Sequence, residues 1–235
     1  MDFVDLKEFA VTAFYIFKGT GITAALVVGA LSLGFSVGLP LACLEVYGPK
    51  WLSRLLGVYV WFFRGVPILV LLFLVYFGVW SLVENFFLER FSIRLTLSPF
   101  SAALVALGLA SGAYQSQIFR GSIKSLHPGQ FKAAQALGFG SPSAVLNVIV
   151  PQALRVSIPA WSNEYSIILK DSAIAYVIGT AEIMARTKFM AAFTYKHMTF
   201  YVAAGVLFYG LTWLGVKSLK LLERKTAIPG LGHGF

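Results

Sequence analysis

The sequence is short of charge and of cysteine, and both shortages narrow the classes of protein to which it can belong. Only 12% of its 235 residues are charged, whereas 58% are apolar; a soluble domain carries about twice that charged fraction. The single cysteine, Cys43, lies inside an apolar run, which excludes a disulfide or a thiolate metal site within one chain. The composition therefore indicates an integral membrane protein.

Five apolar segments are long enough to cross a bilayer, which takes about 20 residues of helix. They cover residues 20–44, 58–80, 98–118, 156–178 and 200–216. The first 18 residues place apolar side chains at helical spacing between charged ones, which predicts an amphipathic helix on the membrane surface. The predicted fold is an all-α membrane protein, with residues 1–18 as a surface helix and residues 19–235 as one transmembrane domain.

The distribution of positive charge predicts the orientation of the chain. The loop 45–57, the loop 119–155 and the tail beyond residue 216 together carry ten Lys and Arg against two acidic residues, a net charge of +8. The other side carries seven Lys and Arg against six acidic residues, a net charge of +1. Because Lys and Arg are enriched in cytoplasmic loops, we expect the N-terminus outside and the C-terminus in the cytoplasm.

One polar, turn-rich stretch, residues 129–152, interrupts the apolar sequence on the predicted cytoplasmic side. Its first half has good helix formers and ends at Gly138, a residue that tolerates the positive φ of a helix C-terminus. Its second half opens with Ser141 as the expected N-cap and Pro142 at the first helical position, and Pro151 is expected to end it. The stretch is therefore predicted to form two short helices joined by a tight corner.

Four segments, in order along the chain, resemble the bacterial ATP-binding-cassette import permeases, and three of them the polar amino acid branch. "KAA" (132–134), followed by Gly138 and "VIVP" (148–151), resembles the "EAA…G…I-x-LP" signature. "FRGVPILVLLFLVYFG" (63–78) resembles "RGTPLLVQLFLIYFG", and "SGAYQSQIFRGSI" (111–123) resembles "SGAYxAExxRGGI". "VPQALRVSIPAWSNEYSIILKDSAI" (150–174) resembles "LPQAxRxxLPxxxNxxIxLLKDTSL". The sequence departs from these patterns at Lys132 and Gln117, where the family has Glu, and also at Val66 and Leu71.

This resemblance implies the permease fold of a type I importer, in which two permease subunits, identical or homologous, pair in the membrane. It also implies a cytosolic ATPase dimer, an extracytoplasmic substrate-binding protein, an amino acid substrate and contact with membrane lipid, but no nucleic acid. ATP and Mg would bind the ATPase, since the sequence has no phosphate-binding Gly-x-x-x-x-Gly-Lys-Ser/Thr loop. No catalytic residue, metal site or cofactor is predicted on this chain.

Within the cytoplasmic loop 119–155, the resemblance assigns the contact with the ATPase to the predicted corner. We expect this contact to involve Lys132, Ala133, Ala134, Leu137, Gly138, Phe139, Gly140 and Ser141.

Four charged residues fall inside the predicted crossings: Arg64, Glu164, Lys170 and Asp171. A charge in hydrocarbon costs about 2.5–3.5 kcal/mol or more, so it usually faces a polar cavity or a partner. Two interpretations stay open: these charges form ion pairs that fix helix packing, or they bind substrate. In the second, Arg64 would bind the carboxylate of an amino acid, and Glu164 or the carbonyl of Gln117 its ammonium group. The expected substrate path comprises Arg64, Pro67, Ser111, Tyr114, Gln117, Asn163, Glu164, Lys170 and Asp171.

Two other functions compete with an ATP-driven importer. A secondary transporter would use Glu164 or Asp171 to carry a coupling proton, and its uptake would follow the proton gradient instead of ATP. A membrane assembly or sensor protein would not need an ordered cytoplasmic corner and would not co-purify with a soluble ATPase.

Overall fold

The computed structural model describes residues 12–94 and 96–226, and most of them are helical, with no strand among them. After the helical residues 12–17, the described part of the chain forms ten further α-helices: α1 Gly19–Tyr47, α2 Lys50–Gly65, α3 Ile68–Phe73, α4 Trp80–Phe91, α5 Pro99–Ser125, α6 Gly129–Ala136, α7 Ser141–Ala144, α8 Val150–Ser172, α9 Ile183–Thr194 and α10 His197–Thr226. A π-helical turn, Leu74–Val79, joins α3 to α4, and another, Val145–Ile149, joins α7 to α8. A 3₁₀ helix, Ala173–Ile178, extends α8.

Four helical runs are long and apolar enough to cross a membrane: Thr12–Tyr47, Ile68–Phe91, Ser141–Ile178 and His197–Thr226. The remaining predicted crossing, residues 98–118, lies in α5, whose 27 residues span about 40 Å. Its hydropathy is lower because many of its residues are small or polar. Such residues suit α5, which is buried at the centre of the fold and packs chiefly against α1 and α8. The all-α membrane fold is confirmed.

The second predicted crossing, residues 58–80, is not one helix. The chain breaks at Val66 and Pro67, between α2 and α3, and the apolar run begins only at Ile68. Pro67 has no N–H to donate and forces the residue before it into an extended conformation, here φ −89° and ψ 130° at Val66. The Tyr59 hydroxyl holds α2 against α5 by donating a hydrogen bond to the Leu109 carbonyl at 2.7 Å.

The predicted surface helix, residues 1–18, falls mostly outside the described residues. From Thr12 onward the chain is helical and runs into α1, the helix that packs most extensively against α5. Gly38 allows this close approach, since a Cβ there would lie 2.8 Å from the Gly112 carbonyl oxygen. The main core forms where α1, α5 and α8 meet, and it contains Leu26, Ala30, Leu72, Ala103, Leu107, Ile168 and Leu169.

The buried carboxylate of Glu182 caps α9. It accepts hydrogen bonds from the backbone N–H groups of Met184 and Ala185, at 2.8 and 2.7 Å. Burial raises the pKa of Glu182 to about 7, against the opposing effect of those two N–H donors. Glu182 lies outside the helical runs that can cross the membrane, between Ile178 and His197.

Two details of the predicted corner are corrected. Ser141 is not the N-cap; Gly140 is, because its extended backbone places its carbonyl to accept the Ala144 N–H at 2.9 Å. Pro142 is accordingly the second helical residue instead of the first. Pro151 does not end a separate helix, because it sits in the first turn of α8, where a missing N–H costs little.

Candidate functional site

A buried polar network surrounds Glu164, which is only 1% exposed, where α1, α5 and α8 converge. The Ser111 hydroxyl donates to Glu164 Oε1 at 2.7 Å. The Gln115 Nε2 donates to Ser111 Oγ and to the Leu31 carbonyl, both at 3.0 Å. The Trp161 Nε1 donates to Gln115 Oε1 at 2.7 Å. Each side chain in this chain of hydrogen bonds therefore holds the next in one orientation.

The network satisfies only part of the hydrogen-bonding capacity of the carboxylate. Ser111 uses its single hydroxyl proton on Oε1, and among the described residues no donor contacts Oε2. A carboxylate carries about four acceptor sites, and a buried one is costly to leave unpaired. Glu164 is thus held by Ser111 through Oε1, while the acceptor capacity of Oε2 is unused among the described residues.

The other intramembrane charges lie near Glu164 without pairing with it directly. Arg64 and Asp171 act on Glu164 electrostatically, with opposite signs. Among the described residues, however, no Arg64 nitrogen lies within 4.0 Å of a carboxylate oxygen. The exposed Arg64 guanidinium instead lies over the Tyr114 ring, 4.9 Å from its centroid. Asp171 is half-buried and interacts electrostatically with the exposed Lys170.

Gln117 lies away from this group, at the end of α5 nearer the corner. Its Nε2 donates to Glu45 Oε2 at 3.0 Å, and its Oε1 accepts from Arg120 Nη1 at 3.2 Å. Arg120 in turn forms an ion pair with Glu45, Nε to Oε1 at 3.1 Å. This triad joins α1 to α5, and Gln117 is six residues beyond Ser111, about 9 Å along the helix axis.

The two remaining residues of the predicted path are exposed. Pro67 starts α3, its carbonyl accepting the N–H groups of Val70 and Leu71 at 2.9 and 3.1 Å. Asn163 precedes Glu164 on α8 but faces outward.

Sequence reasoning did not identify two members of the network, Gln115 and Trp161. Gln115 follows Ser111 by one helical turn on the same face of α5, and that spacing could have identified it. Trp161 precedes Glu164 by three residues, but its hydrogen bond to Gln115 depends on how α8 packs against α5.

The predicted corner is a second candidate site, which we call the α6–α7 corner and define as residues 137–141. Leu137 is 80% exposed and Phe139 is 39% exposed. Gly138 adopts the predicted positive φ, +90°, which turns the chain between the two helices. Of the eight residues expected to contact the ATPase, all are exposed except Ala134, which packs inward. Large apolar side chains at a tip of the fold are typical of a protein-docking surface.

Comparison with known proteins identifies the family. The family model described as "Binding-protein-dependent transport system inner membrane component" matches residues 30–228. The probable amino-acid permease protein YxeN of Bacillus subtilis (strain 168) is 31% identical over 223 residues, which cover 94% of this chain and 96% of that protein. The octopine transport system permease protein OccQ of Rhizobium radiobacter is 32% identical over 206 residues, 86% of each chain.

A solved structure agrees with these sequence matches. A chain in the crystal structure of an amino acid ABC transporter with histidines is 30% identical to this one and superposes with a TM-score of 0.76. The match covers 96% of this chain and 99% of that one. This chain therefore belongs to the family of inner membrane components of binding-protein-dependent transport systems, as a permease subunit of an ATP-binding-cassette importer.

Proposed function

We propose that this permease imports polar amino acids and that Glu164 lies on the path they take through the membrane. The relatives named for amino acid and octopine transport support this substrate class. The observation that carries the proposal is the buried carboxylate of Glu164, which accepts from Ser111 at Oε1 and has no donor to Oε2 among the described residues. An ammonium group is such a donor, and its positive charge would offset the cost of the buried negative charge.

Arg64 is the proposed partner of the substrate carboxylate. Its guanidinium is exposed and held over the Tyr114 ring, which leaves its N–H edge available for a bidentate contact. Asn163, Lys170 and Asp171 on α8 are proposed to line the same path.

Coupling to ATP hydrolysis is proposed to enter at the α6–α7 corner. Exposed Leu137 and Phe139 supply the apolar contact with a groove on a cytosolic ATPase. The corner is continuous with the helical run Ser141–Ile178, which also carries Glu164. Residues 141 and 164 are 23 positions apart, about 35 Å along such a run, so one movement of this run would reach both sites.

The proposed assembly contains a second permease subunit, identical or homologous, an ATPase dimer and an extracytoplasmic substrate-binding protein. The proposed orientation places the N-terminus outside and the C-terminus in the cytoplasm. The net charge of +8 on one side against +1 on the other supports it.

Uptake by a double variant tests the role of the charges. Arg64→Met with Glu164→Gln should assemble with the ATPase but lose amino acid uptake in reconstituted vesicles. Arg64→Lys should also lose most uptake, because Lys lacks the planar fork that binds a carboxylate at two points.

A matched control removes one Glu and one Arg from the exposed end of α4. Glu89→Gln with Arg90→Met should leave uptake near wild type, since both side chains are exposed and neither forms an ion pair within the described part of the chain. Wild-type uptake by the Arg64 and Glu164 double variant would mean that these charges only fix helix packing.

A further inference from the structure

The last helix, α10, carries a row of cations at the depth of the lipid headgroups. Its first 20 residues, 197–216, contain no Asp, Glu, Lys or Arg and span about 30 Å, the thickness of the hydrocarbon core. The first cation, Lys217, follows directly, and Lys220 and Arg224 come three and seven residues later. The spacing puts all three on one face of α10, just beyond the apolar crossing.

These cations line a groove of about 410 Å³ together with aromatic side chains from the preceding turns. Tyr209 and Trp213, 73% and 52% exposed, form the part of the groove nearer the membrane centre. The Lys217 Nζ lies 4.5 Å from the centroid of the Trp213 ring. The groove therefore has an apolar, aromatic end at hydrocarbon depth and a cationic end at the membrane surface.

Nothing in the described residues neutralises this charge. Like charges three or four residues apart on a helix repel one another. Neither Lys217, Lys220 nor Arg224 lies within 4.0 Å of a carboxylate oxygen there, and Glu223, the one acidic residue in this turn, does not line the groove. A ligand with a negative headgroup and an apolar chain would match both ends of the groove.

We propose that this groove is a binding site for an acidic phospholipid, with the phosphate among the three cations and an acyl chain along Tyr209 and Trp213. A second copy of this chain is a poorer occupant. A twofold interface on this face would bring each row of cations against the same row of its partner. An acidic lipid instead gains about 1 kcal/mol for each cation near the membrane surface, which corresponds to about fivefold in affinity.

Spin-labelled lipids measure this preference directly. The permease, assembled with its ATPase, would be placed in phosphatidylcholine vesicles that contain a trace of spin-labelled phosphatidylglycerol or of spin-labelled phosphatidylcholine. The motionally restricted fraction gives the association preference for the acidic lipid. Lys217→Gln, Lys220→Gln and Arg224→Gln together should lower this preference at least about fivefold. Replacing Lys217 and Lys220 by Arg should preserve it.

A control variant removes three cations from the same predicted side of the membrane but outside the groove: Lys50→Gln, Arg54→Gln and Lys225→Gln. It should keep most of the preference. An equal loss in both triple variants would reduce the effect to general surface charge and overturn the site. So would an unchanged preference, or loss of pairing between permease subunits without a change in lipid preference.

The single substitution Lys220→Gln covers the case in which the triple variant does not assemble. Because it removes the central cation of the row and leaves the other two, a partial loss of preference is expected. An unchanged preference in this variant would also overturn the proposal.

Discussion

Gly138 in the α6–α7 corner offers the sharpest test of coupling, because its backbone, and not its contacts, requires glycine. Its φ is +90°, and among the described residues a Cβ at this position would meet no atom within 4 Å. Gly138→Val therefore adds no Cβ clash with those residues, but it forces a β-branched residue into a backbone conformation that costs about 1–3 kcal/mol. If the corner can relax to another shape, the population with the native shape falls roughly 5- to 150-fold.

The assay is ATP hydrolysis by the reconstituted complex, with the amount of permease in the membrane measured separately. We expect Gly138→Val to insert normally and to lower substrate-stimulated hydrolysis at least about fivefold, the low end of that range.

Gly121→Val is the matched control. Gly121 lies in α5, outside the corner, has no positive φ, and among the described residues a Cβ there would meet no atom within 4 Å. Its hydrolysis should stay close to wild type. If the two variants have equal activity, the shape of the corner does not transmit hydrolysis and the reasoning fails.

Three further predictions concern stability. Gly215→Ala should destabilise the subunit by about 1–3 kcal/mol through overpacking, since its Cβ would overlap the ring of Tyr165. Gly210→Ala should not, since a Cβ there would meet no atom within 4 Å among the described residues; thermal unfolding in detergent compares the two variants. The raised pKa of Glu182, about 7 against an ordinary 4.5, means that its contribution is fully present below about pH 4.5 and is lost as pH rises through 7. The free energy of unfolding should therefore fall by up to about 3 kcal/mol as the pH rises from about 4.5 through 7, and the melting temperature should fall with it. Glu182→Gln should flatten this dependence on pH. Finally, Arg120→Met and Glu45→Gln should together destabilise less than the sum of the two single variants, since each single change strands one partner of the ion pair; a double-mutant cycle on the melting temperature checks this.

Most of the fold could be predicted because lipid imposes simple requirements on sequence. Long apolar runs must be helices, and the four that the structure confirms differ from the prediction mainly at their ends. The second crossing was less accurate because hydropathy alone does not register a proline. A single proline changes the mean hydropathy of such a long run only slightly, so the restriction that Pro67 places on Val66 is what indicates that the helix breaks there.

The candidate site could be predicted in part, and helix geometry explains the remainder. Glu164 stands out in any sequence as a charge inside an apolar crossing, and Ser111 contacts it. Gln117 was grouped with Ser111, but six residues at 100° each turn it to a different face of α5, where it meets Glu45. Gln115, four residues from Ser111, returns to within about 40° of the same face and joins the network. Which face of a helix meets which neighbour depends on packing, and a single sequence does not contain that information.

Uptake by purified components would distinguish an ATP-driven importer that uses Arg64 and Glu164 from the competing functions. Vesicles would contain this permease with its partner subunit and ATPase, with ATP inside, and the binding protein and a labelled polar amino acid outside. We expect accumulation that requires hydrolysable ATP, persists when a protonophore removes the proton gradient, and disappears in the Arg64→Met, Glu164→Gln double variant. Accumulation that follows the proton gradient without ATP, or that the double variant retains, would contradict this expectation.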